Sequence, residues 1–311
     1  FYVLLSQPQL VDGAAVTLRS SDDIDGSYRG FFAVDVESGA PLWYRRMGVT
    51  SMKNHLVDLD GDGIDEILLD TYCAENSVSG GGTTDSGTAY VMCLDQGGNI
   101  LWRKRFLGTH LGAQSAAVDV TGDGLPEVFV TWSSGLFEHQ GGAAVLSADG
   151  RTLAERTDLG GLYGMAVADF DGDGEVEIAT GGPESIIYIL NADLEVECSR
   201  TDSTDLLTSA HDPDGVYATR RFHDTGVIWR HRVMPVAASD VNGDGVADVL
   251  ALQTMWQRWD MGIGTILCGR GDLVVLDGRL EELMRVARDH REGGARGFPA
   301  DMPASMKMVA F

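Results

Sequence analysis

Nine residues, "DLDGDGIDE" from Asp58 to Glu66, hold five carboxylates between two apolar runs. So many like charges in so short a span repel one another and ordinarily mark a solvated loop. Their spacing points to chemistry instead. Asp58, Asp60, Asp62 and Glu66 take positions one, three, five and nine, with Gly61 and Gly63 between them. That order lets a short backbone curl around a hard cation and face it with oxygen. The pattern recurs as "DVTGDGLPE" from Asp119, "DFDGDGEVE" from Asp169 and "DVNGDGVAD" from Asp240.

Calcium takes six to eight oxygens at roughly 2.3–2.6 Å in a flexible cage, whereas magnesium demands rigid octahedral geometry and keeps its waters. The loops therefore predict about four calcium ions, one per loop. The expected side-chain ligands are Asp58, Asp60, Asp62 and Glu66; then Asp119, Thr121, Asp123 and Glu127; then Asp169, Asp171, Asp173 and Glu177; and finally Asp240, Asn242, Asp244 and Asp248. The carbonyls at position seven, of Ile64, Leu125, Glu175 and Val246, are expected to add one oxygen each. Thr121 and Asn242 stand where the other loops have Asp, so those two sites carry one carboxylate fewer and are expected to bind more weakly. The bland alternative is a set of Asp/Gly turns without metal; fourfold repetition weighs against it.

The elements around the loops decide the fold. A short apolar run precedes each loop ("NHLVD", "SAAVD", "GMAVAD", "PVAASD") and a β-rich run follows it ("IDEILLDTY", "LPEVFVTW", "EVEIATGG", "VADVLALQ"). Two more strands come next, as in "AAVLSADGRTLAERT", bent at Gly, Asn or Asp. Four antiparallel strands repeating at about 40–50 residues are the signature of a β-propeller blade. The expected fold is thus all-β, a single propeller domain over 1–311, with a partial blade at 1–46, blades at 54–106, 113–157, 163–200 and 234–288, and a final strand at 304–311. If that last strand completes the partial blade, the ring closes with five blades and loses its exposed edges. Otherwise the chain is a segment of a larger propeller.

The four loops with their flanking strands resemble the FG-GAP/VCBS repeats of calcium-binding β-propellers, the class that includes the integrin α-subunit head. The resemblance implies calcium in the loops and says little of activity. A second one runs through the outer strands: "AVDVESGAPLW", ending at Trp43, and "CLDQGGNILW", ending at Trp102, are similar to the repeat of quinoprotein dehydrogenases. There the motif packs blade on blade, and packing is the role expected here.

A formal net charge of −24, which four divalent ions would offset only in part, disfavours a nucleic-acid binder. No apolar run is long enough to span a bilayer, and an opening at Phe1 without Met or a charged-then-apolar stretch is what a processed mature protein or a cropped piece is expected to show. Cys73, Cys93, Cys198 and Cys268 lack metal or haem spacing. Cys73 and Cys93 fall on neighbouring expected strands, where they can pair. Calcium loops and family resemblance together imply an extracellular or cell-surface protein.

The long insertions all belong to one face, opposite the acid loops: 7–29, 74–87, 134–141, 201–232, 255–269 and 289–303. Binding residues gather on such loops above a rigid scaffold. "YATRRFHDTGVIWRHR" brings Arg220, Arg221, His223, Trp229, Arg230, His231 and Arg232, and "MWQRWD" adds Trp256, Arg258 and Trp259. Arginine forks a carboxylate while tryptophan stacks on a sugar ring, so this face suits an acidic glycan or a protein partner within a larger surface assembly. The plain alternative is a salt-bridged cap. No serine-nucleophile motif, P-loop or dinucleotide fingerprint occurs.

Two functional readings follow. The first is a non-catalytic binding module that uses Arg220, Arg221, Trp229, Arg232, Trp256, Arg258 and Trp259. The second is a polysaccharide lyase acting on uronate-containing glycans, because the repeats are also similar to those of rhamnogalacturonan lyases. Arg220, Arg221 and Arg230 would then neutralise the carboxylate, and His223 or His231 would remove the proton. The binding module is the favoured reading.

Overall fold

The computed structural model describes residues 2–6, 8–11, 15–18, 30–47, 49–73, 88–108, 111–134, 140–182, 186–201, 228–260 and 265–287. Among them every regular element is a strand, and no helix is long and apolar enough to cross a membrane.

Five antiparallel units follow one another along the chain. The first contains β1 (Tyr2–Ser6), β2 (Pro8–Val11), β3 (Ala15–Leu18), β4 (Gly30–Asp35) and β5 (Pro41–Arg46). Its sheet runs β1-β4-β5, and β2 and β3 form a separate hairpin within the expected insertion. The second contains β6 (Thr50–Val57), β7 (Glu66–Tyr72), β8 (Ala89–Leu94) and β9 (Ile100–Phe106); the third, β10 (Leu111–Val118), β11 (Glu127–Ser134), β12 (Gly141–Leu146) and β13 (Thr152–Arg156). The fourth is β14 (Tyr163–Ala168), β15 (Glu177–Gly181), β16 (Ile186–Leu190) and β17 (Val196–Thr201), and the fifth β18 (Ile228–Ser239), β19 (Asp248–Asp260), β20 (Thr265–Leu276) and β21 (Glu282–Ala287). Each of these four pairs its strands in sequence order. These are propeller blades. The strand expected at 304–311, and with it the closure of the ring, lies outside the described residues.

Blades two and three are fused. Gly112 of β10 pairs with Tyr72 of β7, which is opposite Thr50 of β6 and lies beyond the last β7–β8 pair, Asp70 with Val91, so the two blades form one eight-stranded sheet.

Inner strands buried on both faces explain the continuous apolar runs. In β7, Ile67 and Leu69 pack into the core between blades one and two, whereas Leu68 packs between blades two and three. In β11, Phe129 serves the interface with blade four, and Val128 and Val130 the one with blade two. The fourth core joins blades four and five, around Ala179, Ile189, Val249 and Val274. Each core cluster therefore lies between two blades.

At every one of these interfaces an outer-strand side chain donates to a turn carbonyl of the next blade. Trp43 donates its indole N–H to the Gln96 carbonyl in the next blade at 2.6 Å, and Trp102 to that of Ala148 at 2.8 Å. Each ring lies where a Cβ on the neighbouring turn glycine would be: 2.6 Å from one on Gly98 and 2.5 Å from one on Gly150. Two residues beyond Trp43, Arg45 donates to the Gly98 carbonyl.

The next two interfaces lack tryptophan, and Ala154 and Cys198 hold its place in the ladder. There the turn residue becomes Leu194 or Leu280, with φ of 63° and 61°, the two non-glycine residues with positive φ among those described. Both leucines are buried, Leu194 in the cluster that includes Ala154 and Leu280 in the one that includes Cys198. Arg156 and Arg200 donate to their carbonyls at 2.8 and 2.7 Å. Large-on-glycine has been exchanged for small-under-leucine, which keeps the interface filled.

Two expectations are corrected. Segments expected as insertions in the fifth unit are strand: β18 begins at Ile228, and β19 and β20 run past the blade as a three-stranded extension, with Ile228 opposite Arg258 and Arg258 opposite Leu267. Alternating cationic and aromatic residues hid that strand. Cys73 and Cys93 do not bridge each other. Cys93 pairs with Leu68 along the ladder, while Cys73 follows the end of β7, too far along the strand for a bridge.

Gly150→Ala is expected to cost about 1–3 kcal/mol through overpacking against Trp102, and Leu194→Ala about 2–5 kcal/mol through the cavity left behind. Urea midpoints measure both, and an unchanged midpoint in either variant would overturn the interface assignment.

Candidate metal centres

Each acid loop starts immediately after the innermost strand of its blade and ends on the first residue of the next strand. All four fold alike. The position-one carboxylate accepts two glycine N–H groups: Asp58 from Gly61 and Gly63 at 2.8 and 2.9 Å, Asp119 from Gly122 and Gly124 at 2.7 and 2.9 Å. Asp169 and Asp240 do the same, each at 2.6 and 2.9 Å. Both glycines of every loop have φ between 72° and 93°, where other residues are strained.

The position-nine acid closes the loop by accepting the N–H at position two, as Glu66 does from Leu59, Glu127 from Val120, Glu177 from Phe170 and Asp248 from Val241. These four acids are no more than 5% exposed. Burial pushes the Glu66 carboxyl above its ordinary range and that of Glu177 to about 7, with the neighbouring loop aspartates adding to the rise.

The donor sets are all oxygen, which suits a hard cation. Asp58, Asp60 and Asp62 bring carboxylate oxygens within 4.8 Å of one another, as do Asp169, Asp171 and Glu177. In the other two loops the position-three residue turns a donor on its own acids. Thr121 Oγ1 donates to Glu127 at 3.4 Å, and Asn242 Nδ2 to Asp244 at 2.9 Å. The first and third loops therefore fit a cation best. Ile64, Leu125, Glu175 and Val246 each donate their N–H to the position-five carboxylate.

Neighbouring blades touch through these loops. Leu125 packs over Gly61 and Val246 over Gly172, while Gln96 donates to the Asp65 carbonyl at 2.6 Å. The acid loops and the outer turns thus share one end of the molecule.

On the insertion side, Arg220, Arg221 and His223 lie outside the described residues, as do segments 74–87, 135–139, 202–227 and 288–303. Trp229, Arg230, His231 and Arg232 lie on β18, and Trp256, Arg258 and Trp259 on β19. Register places Arg230 opposite Trp256 and Arg232 opposite Thr254.

A buried polar group escaped the sequence reading. Asp70, fully buried, accepts the Ser115 N–H of the next blade at 2.9 Å and the Ser115 hydroxyl, with His55 Nε2 3.6 Å away. A single acid inside the apolar run "EILLDTY" was its only trace.

No family model matches the chain, and no curated protein matches it. Solved structures do. A protein of unknown function from Bacteroides caccae is 9% identical, with 86% of this chain and 93% of that one covered, at a TM-score of 0.33. BBS1N, solved in complex with ARL6DN, is 9% identical (83% and 61% covered, TM-score 0.41). The Dos1 propeller is 12% identical (84% and 65% covered, TM-score 0.41). The chain thus spans less than two thirds of the BBS1N and Dos1 chains it resembles.

A raised carboxyl pKa means that ionised Glu177 destabilises the fold. Metal-free protein is therefore expected to gain stability as pH falls from about 7 towards 4.5. Glu177→Gln, which keeps an acceptor for Phe170, is expected to flatten that gain and raise the melting temperature of metal-free protein at neutral pH. Thermal melts across pH decide this.

Proposed function

We propose that the chain is a calcium-stabilised β-propeller of the FG-GAP/VCBS type that works outside the cell as a binding module, with its insertion face turned towards a protein or acidic glycan. The supporting observation is the identical local fold of four oxygen-lined loops. In each, the glycine N–H groups hold the position-one acid, and a buried acid closes the turn. A divalent cation there offsets the mutual repulsion that the buried acids otherwise carry. Asp58, Asp60, Asp62 and Glu66, with Asp169, Asp171, Asp173 and Glu177, would hold the stronger ions. Asp119, Asp123 and Glu127, with Asp240, Asp244 and Asp248, would hold the weaker.

The calcium has a structural task in this reading. It ties the start of the second strand to the end of the first in each blade, and through Leu125 and Val246 it steadies the neighbouring blade. The partner would be met at the opposite end, where the fifth blade extends. Register sets Arg230 opposite Trp256 and Ile228 opposite Arg258 on adjacent strands, and arginine with tryptophan is a combination suited to uronate sugars or an acidic peptide. The lyase alternative needs Arg220, Arg221 and His223 beside His231, and no described geometry favours it.

Excess chelator is expected to lower the melting temperature markedly, because each site held a hundredfold above its Kd adds about 2.7 kcal/mol. Metal analysis should find calcium in the untreated protein, and Asp58→Ala with Asp169→Ala should lower its content more than Asp119→Ala with Asp240→Ala. An unchanged melt after verified metal removal sinks the reading. For the binding end, Arg230→Glu with Arg258→Glu is expected to weaken binding to polygalacturonate at least tenfold while the melt stays unchanged. Equal binding by the double variant overturns this assignment.

A further inference from the structure

The innermost strands β6, β10, β14 and β18 surround a cavity of about 250 Å³ on the propeller axis. Three of these four strands break register beside it, between Ser51 and Lys53, between Tyr163 and Ala166, and between Pro235 and Ala237. A bulge leaves a residue outside the ladder and bends its strand, and bulges gather where a fold must re-aim side chains around a site. Met165 and Val236, both within bulges, line the cavity with Ala116 and Val167. Glycine at 164, with φ of 69°, and the Thr180 hydroxyl donating to its carbonyl fix the second bulge in place.

Lys53, next to the first bulge, is the one cation among the described residues that line the cavity, and Gln114 adds an amide. Among the described residues Lys53 makes no ion pair and no hydrogen bond. Asp70 stands opposite it in the ladder, but that carboxylate already accepts the N–H and hydroxyl of Ser115. Burial lowers the Lys53 pKa, and the charge of Asp70 only partly opposes the effect. Asp70 is thus the charge that faces Lys53, and the three ammonium donors, which no described residue takes up, remain open to an anion in the cavity.

We propose that the axial cavity binds a small aliphatic carboxylate, its head group on Lys53 and Gln114 and its chain against Ala116, Met165, Val167 and Val236. The volume equals that of about eight waters, and hexanoate has about that many non-hydrogen atoms. The apolar lining distinguishes such a ligand from a bare anion, and Lys53 distinguishes it from an amine. The site does not depend on calcium or on the insertion face.

Titration calorimetry of the full chain with hexanoate, inorganic phosphate and hexylamine tests this. Hexanoate is expected to bind one per chain at millimolar concentration or below, with phosphate at least tenfold weaker and hexylamine silent. Lys53→Met is expected to weaken hexanoate at least tenfold, and Lys53→Arg only a few-fold. Ala116→Leu keeps the cation but fills the chain's space, and is expected to weaken hexanoate more than acetate. Absence of hexanoate binding, equal binding by Lys53→Met, or phosphate binding as tightly as hexanoate overturns the proposal. Should Lys53→Met fail to fold by its melt, unchanged hexanoate affinity in Ala116→Leu overturns it.

Discussion

Everything in this fold depends on the hydrogen bond that an outer-strand side chain sends to a turn carbonyl of the following blade. A propeller blade cannot bury both of its faces alone, so its stability comes from its neighbours. The four core clusters all lie at interfaces. A bond such as Trp43 to Gln96 or Arg156 to Leu194 sits at the rim of such a cluster and fixes the angle at which the next sheet lies. The inner strands then converge on an axis, and only that convergence makes a cavity of them.

Two solutions to the same packing problem coexist. A tryptophan needs a turn without a Cβ, and where it is missing a leucine in the left-handed region refills the volume at some backbone cost. The substitution is reciprocal: changing one partner alone leaves either a clash or a void. Where the residue two further on is arginine, as at 45, 156 and 200, it is indifferent to the choice, since its target is the backbone carbonyl, which both kinds of turn present.

The blades and acid loops were legible in the sequence because their signals are local. Glycine at two positions with positive φ, an acid at position one and alternation in the flanking strands each act within a dozen residues. The loops' difference in donor chemistry was legible too, in Thr121 and Asn242. The fifth blade's extension was not, because "IWRHRV" alternates charge with aromatics and reads as an elaborate loop until its partners are known. Lys53 and Asp70 stayed hidden for a deeper reason. A register break has no local signature in the residues that make it, and a side chain's partner across a blade interface is set by topology alone. The αL leucines were equally silent, since a leucine in a turn looks like any other.

The single bridge between Tyr72 and Gly112 divides the molecule unequally. Blades two and three are joined by a ladder bridge, whereas blades three and four share the single bond from the Leu162 N–H to the Trp132 carbonyl, and blades four and five the one from the Ala247 N–H to the Asp169 carbonyl. The sheet from β6 to β13 is therefore expected to open less readily than the blades on either side. Amide hydrogens would exchange slowly and together across that block, and earlier in the three-stranded extension of the fifth blade. Stiffness is thus expected where Asp70 and Ser115 join two blades, and compliance where the strands of the fifth blade run past it.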